Sequence, residues 1–177
     1  VHMNIGIIGC GHMGSAFVQG LIANDPKQTV WIGNPTNPAA VLLKNRSVHW
    51  TKNNDEVVQN STLIILAVKP NMIEPVLREI APFLAKNHVV MSIAAGITIA
   101  SLIRFSNKHK KLVRVMPNLP AQVFAGMSIW KAIGLGGQEK KALRGFLEIF
   151  GKEIEVPDEK LIDIGTSVSG GGPAYTA

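Results

Sequence analysis

The chain has 177 residues, 46% of them hydrophobic and 17% charged, with a formal net charge of +6 and a single cysteine. That length and apolar content suit one well-packed domain and exclude a disordered chain. No apolar run reaches the roughly 20 residues of a membrane span, the N-terminus lacks the basic-then-apolar pattern of a signal peptide, and one cysteine excludes an internal disulfide, so a cytoplasmic protein is expected. Met3 reads as the native start, with Val1 and His2 added ahead of it.

Apolar runs then alternate with helical patterns. Residues 4–8 (NIGII) read as a buried strand, and Phe17, Val18, Leu21 and Ile22 share one face of a helix that Asn24, Asp25 and Pro26 stop. Residues 29–32 read as a second strand, 39–44 as a short helix and 48–50 as a third strand. Residues 62–68 (TLIILAV) are an apolar, β-branched fourth strand. Asn71 and Glu74 have capping-box spacing ahead of a helix striped by Ile73, Val76, Leu77 and Ile80, which Pro82 bends or ends. A fifth strand at 88–94 leads to a helix capped by Thr98. Strands at 112–116 and 127–132 follow, then an amphipathic helix at 138–150 ended by Gly151. A last strand at 153–156 precedes a helical turn capped by Asp158. Such alternation predicts an α/β fold, a mostly parallel sheet with helices on both faces.

Gly9, Gly11 and Gly14 form G-x-G-x-x-G directly after the first strand and at the start of a helix. In a dinucleotide-binding βαβ unit the first glycine permits the tight turn. The second lets the backbone approach the pyrophosphate, and the third lets helix pack on strand. The phosphates meet free N–H groups at the positive end of the helix. Cys10 and His12 lie between the glycines, with no third group to orient them as a nucleophile and base. No His or Cys pair has metal-ligand spacing, so they read as variable loop residues and no metal is expected. The second strand ends in WIGNPTN (31–37), without the acidic residue that holds a ribose 2′-hydroxyl in NAD-binding domains. A 2′-phosphate meets no repulsion there, so NADP(H) is expected, with NAD(H) as the alternative. Asn34, Thr36 and Asn37 offer hydrogen-bond donors. The basic residues are scattered. The densest group, Lys108, His109, Lys110 and Lys111, reads as a solvated loop between helix and strand and not as a nucleic-acid site.

Four further segments, AVKP (67–70), SIAAGI (92–97), VRVMPNLPAQVFAGMS (113–128) and SGGGPAY (169–175), follow the glycine motif in order. Together they resemble the pyrroline-5-carboxylate reductase family along nearly the whole chain. The resemblance implies an NADPH-dependent hydride transfer to a C=N bond, giving proline. It also implies a Rossmann-like cofactor domain, expected here over 3–165, and a separate helical domain that forms dimers and completes the substrate site. Residues 166–177 would be the junction and the start of that helical domain. The full-length protein is then expected to be a homo-oligomer built from dimers, with a small-molecule substrate. The present chain alone is expected to bind NADPH and turn over little.

By the same resemblance, Gly9, Gly11, His12, Met13 and Gly14 hold the pyrophosphate, and Asn34 and Thr36 lie near the adenosine ribose. Ala67, Val68, Lys69 and Pro70 pass the nicotinamide side, and Met116, Pro117 and Asn118 face the nicotinamide. Ser169, Gly170, Gly171 and Gly172 form a junction loop at the substrate pocket. Lys69 reads as a solvated turn residue and Ala94, Ala95 and Gly96 as close-packed backbone, so no catalytic residue is assigned. The sequence departs from the family pattern at Leu119 (commonly threonine), Phe124 (commonly glycine) and Gly171 (usually serine). A β-hydroxyacid dehydrogenase-like oxidoreductase and a non-catalytic NADP-sensing domain are the alternative readings.

Overall fold

The computed structural model describes residues 3–38, 41–118 and 126–164. Eight strands form one sheet: β1 (Ile5–Ile8), β2 (Val30–Gly33), β3 (Val48–Thr51), β4 (Leu63–Leu66), β5 (Val89–Ser92), β6 (Leu112–Asn118), β7 (Gly126–Ile133) and β8 (Gly151–Glu155). Their order is β3-β2-β1-β4-β5-β6-β7-β8. The first six run parallel, β7 is antiparallel to β6, and β8 is parallel to β7. The helices are α1 (His12–Asn24), α2 (Asn54–Gln59), α3 (Ile73–Ile80), α4 (Ile99–Phe105) and α5 (Gly137–Glu148).

The sequences of β1 (IGII), β4 (LIIL) and β5 (VVMS) lack polar alternation because both faces of these strands are covered, and every residue in them is buried. One core joins Ile5, Ile7 and Ile65 to Phe17, Val18 and Leu21 of α1 and to Leu143, Phe146 and Leu147 of α5. The opposite core joins Ile8, Ile64 and Leu66 to α2, α3 and α4 through Val57, Leu77 and Leu102. Each fully buried Leu, Ile or Phe contributes about 1.5–3 kcal/mol, so the two apolar layers hold the sheet from both sides. Phe150 packs edge-on against Phe17 at 4.7 Å.

Local departures from the sequence expectations have local causes. The short helix expected at 39–44 is a single 3-10 turn, Leu42–Lys44, with residues 39 and 40 outside the described residues. Helix α2, six residues with Val57 and Val58 buried, is too short to show a helical period. The Asn71–Glu74 capping box does not form. Pro70 starts a 3-10 turn, Pro70–Met72, α3 begins only at Ile73 without a side-chain cap, and Glu74 instead pairs with Arg78 at 2.7 Å. Thr98 does cap α4, its Oγ1 accepting the Ser101 N–H at 3.1 Å. Gly151 lies beyond the end of α5 and opens β8. Its φ is +137°, and a Cβ there would sit 2.0 Å from the Gly126 carbonyl oxygen. Asp158 accepts the Lys160 N–H at 2.9 Å ahead of a helical stretch at 160–164. Among the described residues, no helix is long and apolar enough to cross a membrane.

Candidate cofactor-binding site

The sheet order reverses at β1, which lies between β2 and β4 while its chain continues into α1. In open α/β sheets such a point opens a crevice outside the strand carboxyl ends. The segments following β1, β2, β4, β5 and β6 all emerge at that end, because these strands are parallel.

The glycine loop is shaped by contacts that side chains would destroy. Gly9 has φ +96°, and a Cβ on it would lie 2.8 Å from the Ala67 carbonyl. A Cβ on Gly14 would lie 2.1 Å from the Gly9 carbonyl oxygen, so α1 can leave β1 this tightly only with glycine there. Gly11 differs: a Cβ on it would meet nothing within 4 Å. Its exposed face opens to solvent where α1 begins, with Gly11 as the N-cap. His12, the first residue of α1, is exposed, Met13 is half-buried, and no acidic side chain occupies the first turn. The N–H groups of that turn have no intrahelical partners, so the loop presents uncompensated positive backbone ends.

Asn34 braces this loop, a role its sequence position did not reveal. Its Oδ1 accepts the Cys10 N–H at 3.0 Å, and its Nδ2 donates to the Thr36 carbonyl at 2.8 Å and to Thr36 Oγ1 at 3.2 Å. Trp50 Nε1 donates to the Asn34 carbonyl at 3.0 Å, and the Gly9 N–H bonds the Gly33 carbonyl at 2.8 Å. The amide of Asn34 is therefore committed within the protein, and Thr36, exposed, keeps a hydroxyl proton to donate. Asn54 reaches the same corner: a Cβ on Gly33 would lie 2.5 Å from its Oδ1, while its Nδ2 donates to Glu79. Its only sequence signal was its place soon after the third strand. Cys10 Sγ lies 3.4 Å from Ser15 Oγ.

Across the crevice, the Ala67 N–H bonds the Ile8 carbonyl at 2.8 Å, which joins the β4 end to the glycine loop. Ala67 and Val68 are half-buried, whereas Lys69 and Pro70 are exposed at the turn. Met116, Pro117 and Asn118 end β6. The last β5–β6 pairing is Ser92 with Arg114, so these residues run past β5 with one edge open, where a sheet tolerates proline. Pro117 is buried and Asn118 exposed. After β5, Ala94 is packed but Ala95 and Gly96 are exposed. Gly96 has φ +74° and open space around its Cβ position, so backbone conformation and not crowding selects glycine there. The structure thus brings the glycine loop, Asn34, Thr36, Ala67 and Val68 into one connected corner. It places Met116–Asn118 at the same end of the sheet. Ser169, Gly170, Gly171, Gly172, Leu119 and Phe124 lie outside the described residues. No group of three or more His, Cys, Asp or Glu is placed to hold a metal among the described residues.

Known proteins share this sequence pattern and fold. The chain is 39% identical over 176 residues to a pyrroline-5-carboxylate reductase of Escherichia coli, covering 97% of this chain and 65% of that protein. It is 37% identical over 175 residues to pyrroline-5-carboxylate reductase 3 of Rattus norvegicus, covering 97% of this chain and 63% of that protein. A solved pyrroline-5-carboxylate reductase of Coxiella burnetii superposes with a TM-score of 0.88 at 32% identity, over 99% of this chain and 66% of that one. That of Plasmodium falciparum, solved with NADP bound, gives 0.83 at 31%, over 98% and 64%. The chain therefore spans less than two thirds of the length of the relatives it matches, and along nearly all of its own length it resembles pyrroline-5-carboxylate reductases. Over residues 4–96, more than half of the sequence, it matches the family described as NADP oxidoreductase, coenzyme F420-dependent, and the chain belongs to that family.

Proposed function

We propose that this chain is the NADP(H)-binding part of a reductase that converts pyrroline-5-carboxylate to proline. The observation that carries the reading is the Gly11 cradle, open space beside the unpaired N–H groups of α1. A pyrophosphate fits such a place, and the relatives so named, one of them solved with NADP bound, share the chain's sequence and fold. When bound, the nicotinamide supplies hydride to the C=N carbon.

In this reading Gly9, Gly11, His12, Met13 and Gly14 hold the pyrophosphate, and Asn34 keeps the loop in register with β2. Thr36 offers its hydroxyl on the ribose side, and no carboxylate at the β2 end repels a 2′-phosphate. Ala67, Val68, Lys69 and Pro70, with Met116, Pro117 and Asn118, border the nicotinamide. Ser169–Gly172 would approach the substrate, with 166–177 opening a helical domain that pairs subunits in a cytoplasmic homo-oligomer. A protonated imine is already electrophilic, so the protein's main task is alignment.

The test is NADPH binding to this chain, read by nicotinamide fluorescence, beside pyrroline-5-carboxylate-dependent NADPH oxidation by the full-length gene product. Binding by both, with turnover only in the full-length protein, is expected. Failure to bind NADPH, or a full-length protein inactive on pyrroline-5-carboxylate, would overturn the proposal.

A further inference from the structure

Most of the chain is electrically balanced, and one stretch is not. Residues 78–111 carry six Lys and Arg against one acid, Glu79, whereas the rest of the sequence carries 12 against 11. Arg78 and Arg104 of that stretch lie in the last turns of α3 and α4, where they answer the helix dipoles. The lysines have no such duty. The loops before β5 and β6 bring Lys86, Lys108 and Lys110 around one groove of about 630 Å³, lined also by Leu84, His109 and Gly134. It lies at the amino end of the parallel strands, the end opposite the glycine loop. All three lysines are exposed, and among the described residues no carboxylate pairs with them. The neighbouring Lys111 is neutralised by Glu139 at 2.5 Å.

The groove is built and not merely charged. Asn107 and Lys108 hold φ values of +53° and +63°, two consecutive left-handed residues without a glycine. They form the turn that ends α4, with the Lys108 N–H returning to the Ile103 carbonyl at 2.9 Å. Here His109 Nε2 donates to the His88 carbonyl at 2.9 Å, and His88 Nδ1 accepts the Ala85 N–H at 2.9 Å, so the two loops are tied to each other. Gly134 lets the turn after β7 press on the Lys110 carbonyl, which a Cβ would approach to 2.0 Å.

From the unpaired lysines and the tie between these two loops we propose a second anion site, for a compact ligand carrying two or more phosphate groups. Ammonium groups on flexible stems suit clustered phosphate oxygens as point charges. The groove has the size of a small-molecule site. Phe105 is buried beneath Arg104, and the exposed Phe83 is not part of the lining, so no Phe, Tyr or Trp stands in the groove to stack a base.

The test is titration of the isotope-labelled chain with inorganic triphosphate, followed by amide chemical shifts. Shifts should appear at 84–88 and 107–111. Affinity read from those amides should fall roughly tenfold or more in Lys86→Gln/Lys108→Gln/Lys110→Gln, while any shifts at 9–14 keep their wild-type titration. Lys86→Glu alone, on an exposed loop, should weaken binding in the same direction. ATP should bind within about threefold of triphosphate if phosphate and not base is read. Shifts confined to residues 9–14, wild-type affinity in the triple variant, or no binding at millimolar triphosphate would each overturn the site. Tighter binding of an RNA oligonucleotide at the same residues would overturn it too, in favour of nucleic acid.

Discussion

The two ends of the sheet are suited to anions by different means. At the carboxyl end the backbone is the main recognition element: three glycines and a helix start leave N–H groups facing open space, with no acidic side chain in the first turn of α1. At the amino end the backbone supplies little, and long lysine side chains from two loops converge. Backbone recognition depends on residues adjacent in sequence, so its spacing can be read directly. The lysine groove depends on loops some 20 residues apart and on Gly134, so the sequence shows only a scatter of charge that reads as a solvated loop. Local geometry is legible early; convergence is not.

That contrast can be broken most sharply at the glycines. Gly14→Ala drives a Cβ onto the Gly9 carbonyl and should cost about 3 kcal/mol in denaturant unfolding. Gly11→Ala meets no atom and starts from φ −77°, so stability should change by less than about 0.5 kcal/mol while NADPH affinity falls roughly tenfold. Equal stability losses in the two variants would show that the cradle is not open as described.

Next in size is Arg114, a buried guanidinium of β6 that pairs with Glu159 at 3.1 Å and with Asp163. It ties the start of the 160–164 helix to the sheet. Its carboxylate partners reach solvent and can rehydrate, so Arg114→Leu should cost about 2–3 kcal/mol and not the full penalty of an orphaned buried charge. Asp163→Asn, which keeps the Glu159 pair, should cost about 1 kcal/mol or less by the same unfolding measurement.

A smaller effect concerns the brace. Asn34→Asp keeps the acceptor for the Cys10 N–H but loses the donor to Thr36 and adds a negative charge at the β2 end. NADPH affinity should fall roughly tenfold more than NADH affinity, from repulsion of the 2′-phosphate. An unchanged ratio would place the 2′-phosphate elsewhere.

The smallest expected effect is at the amino end. Burial and then the charge of His109 hold the His88 pKa below the ordinary histidine value. Its Nδ1 accepts the Ala85 N–H, so the folded ring is neutral. The unfolded chain takes up a proton near pH 6.5 while the folded one resists it, so stability is full above about pH 6.5 and falls below it. Between about pH 7.5 and 5.5 the melting temperature should drop a few degrees, and less in His88→Asn.

How much the sequence determined follows from the range of each interaction. The apolar runs at 4–8, 62–68 and 88–94 appear as buried strands because continuous apolar character has no use on a wetted sheet. The glycine motif announced its turn because Gly9 holds a positive φ and a Cβ on Gly14 would strike the Gly9 carbonyl five residues back. The capping box at Asn71 and Glu74 misled, since Pro70 organised the chain first and Glu74 had Arg78 one turn ahead. Tertiary structure alone decided that Asn34 spends its amide on Cys10 and Thr36, that Arg114 is buried against two acids from 45 and 49 residues away, and that three lysines face one groove. Periodicity and glycine spacing record the backbone's local constraints. Hydrogen bonds and charges between distant segments exist only once the sheet has set those segments side by side.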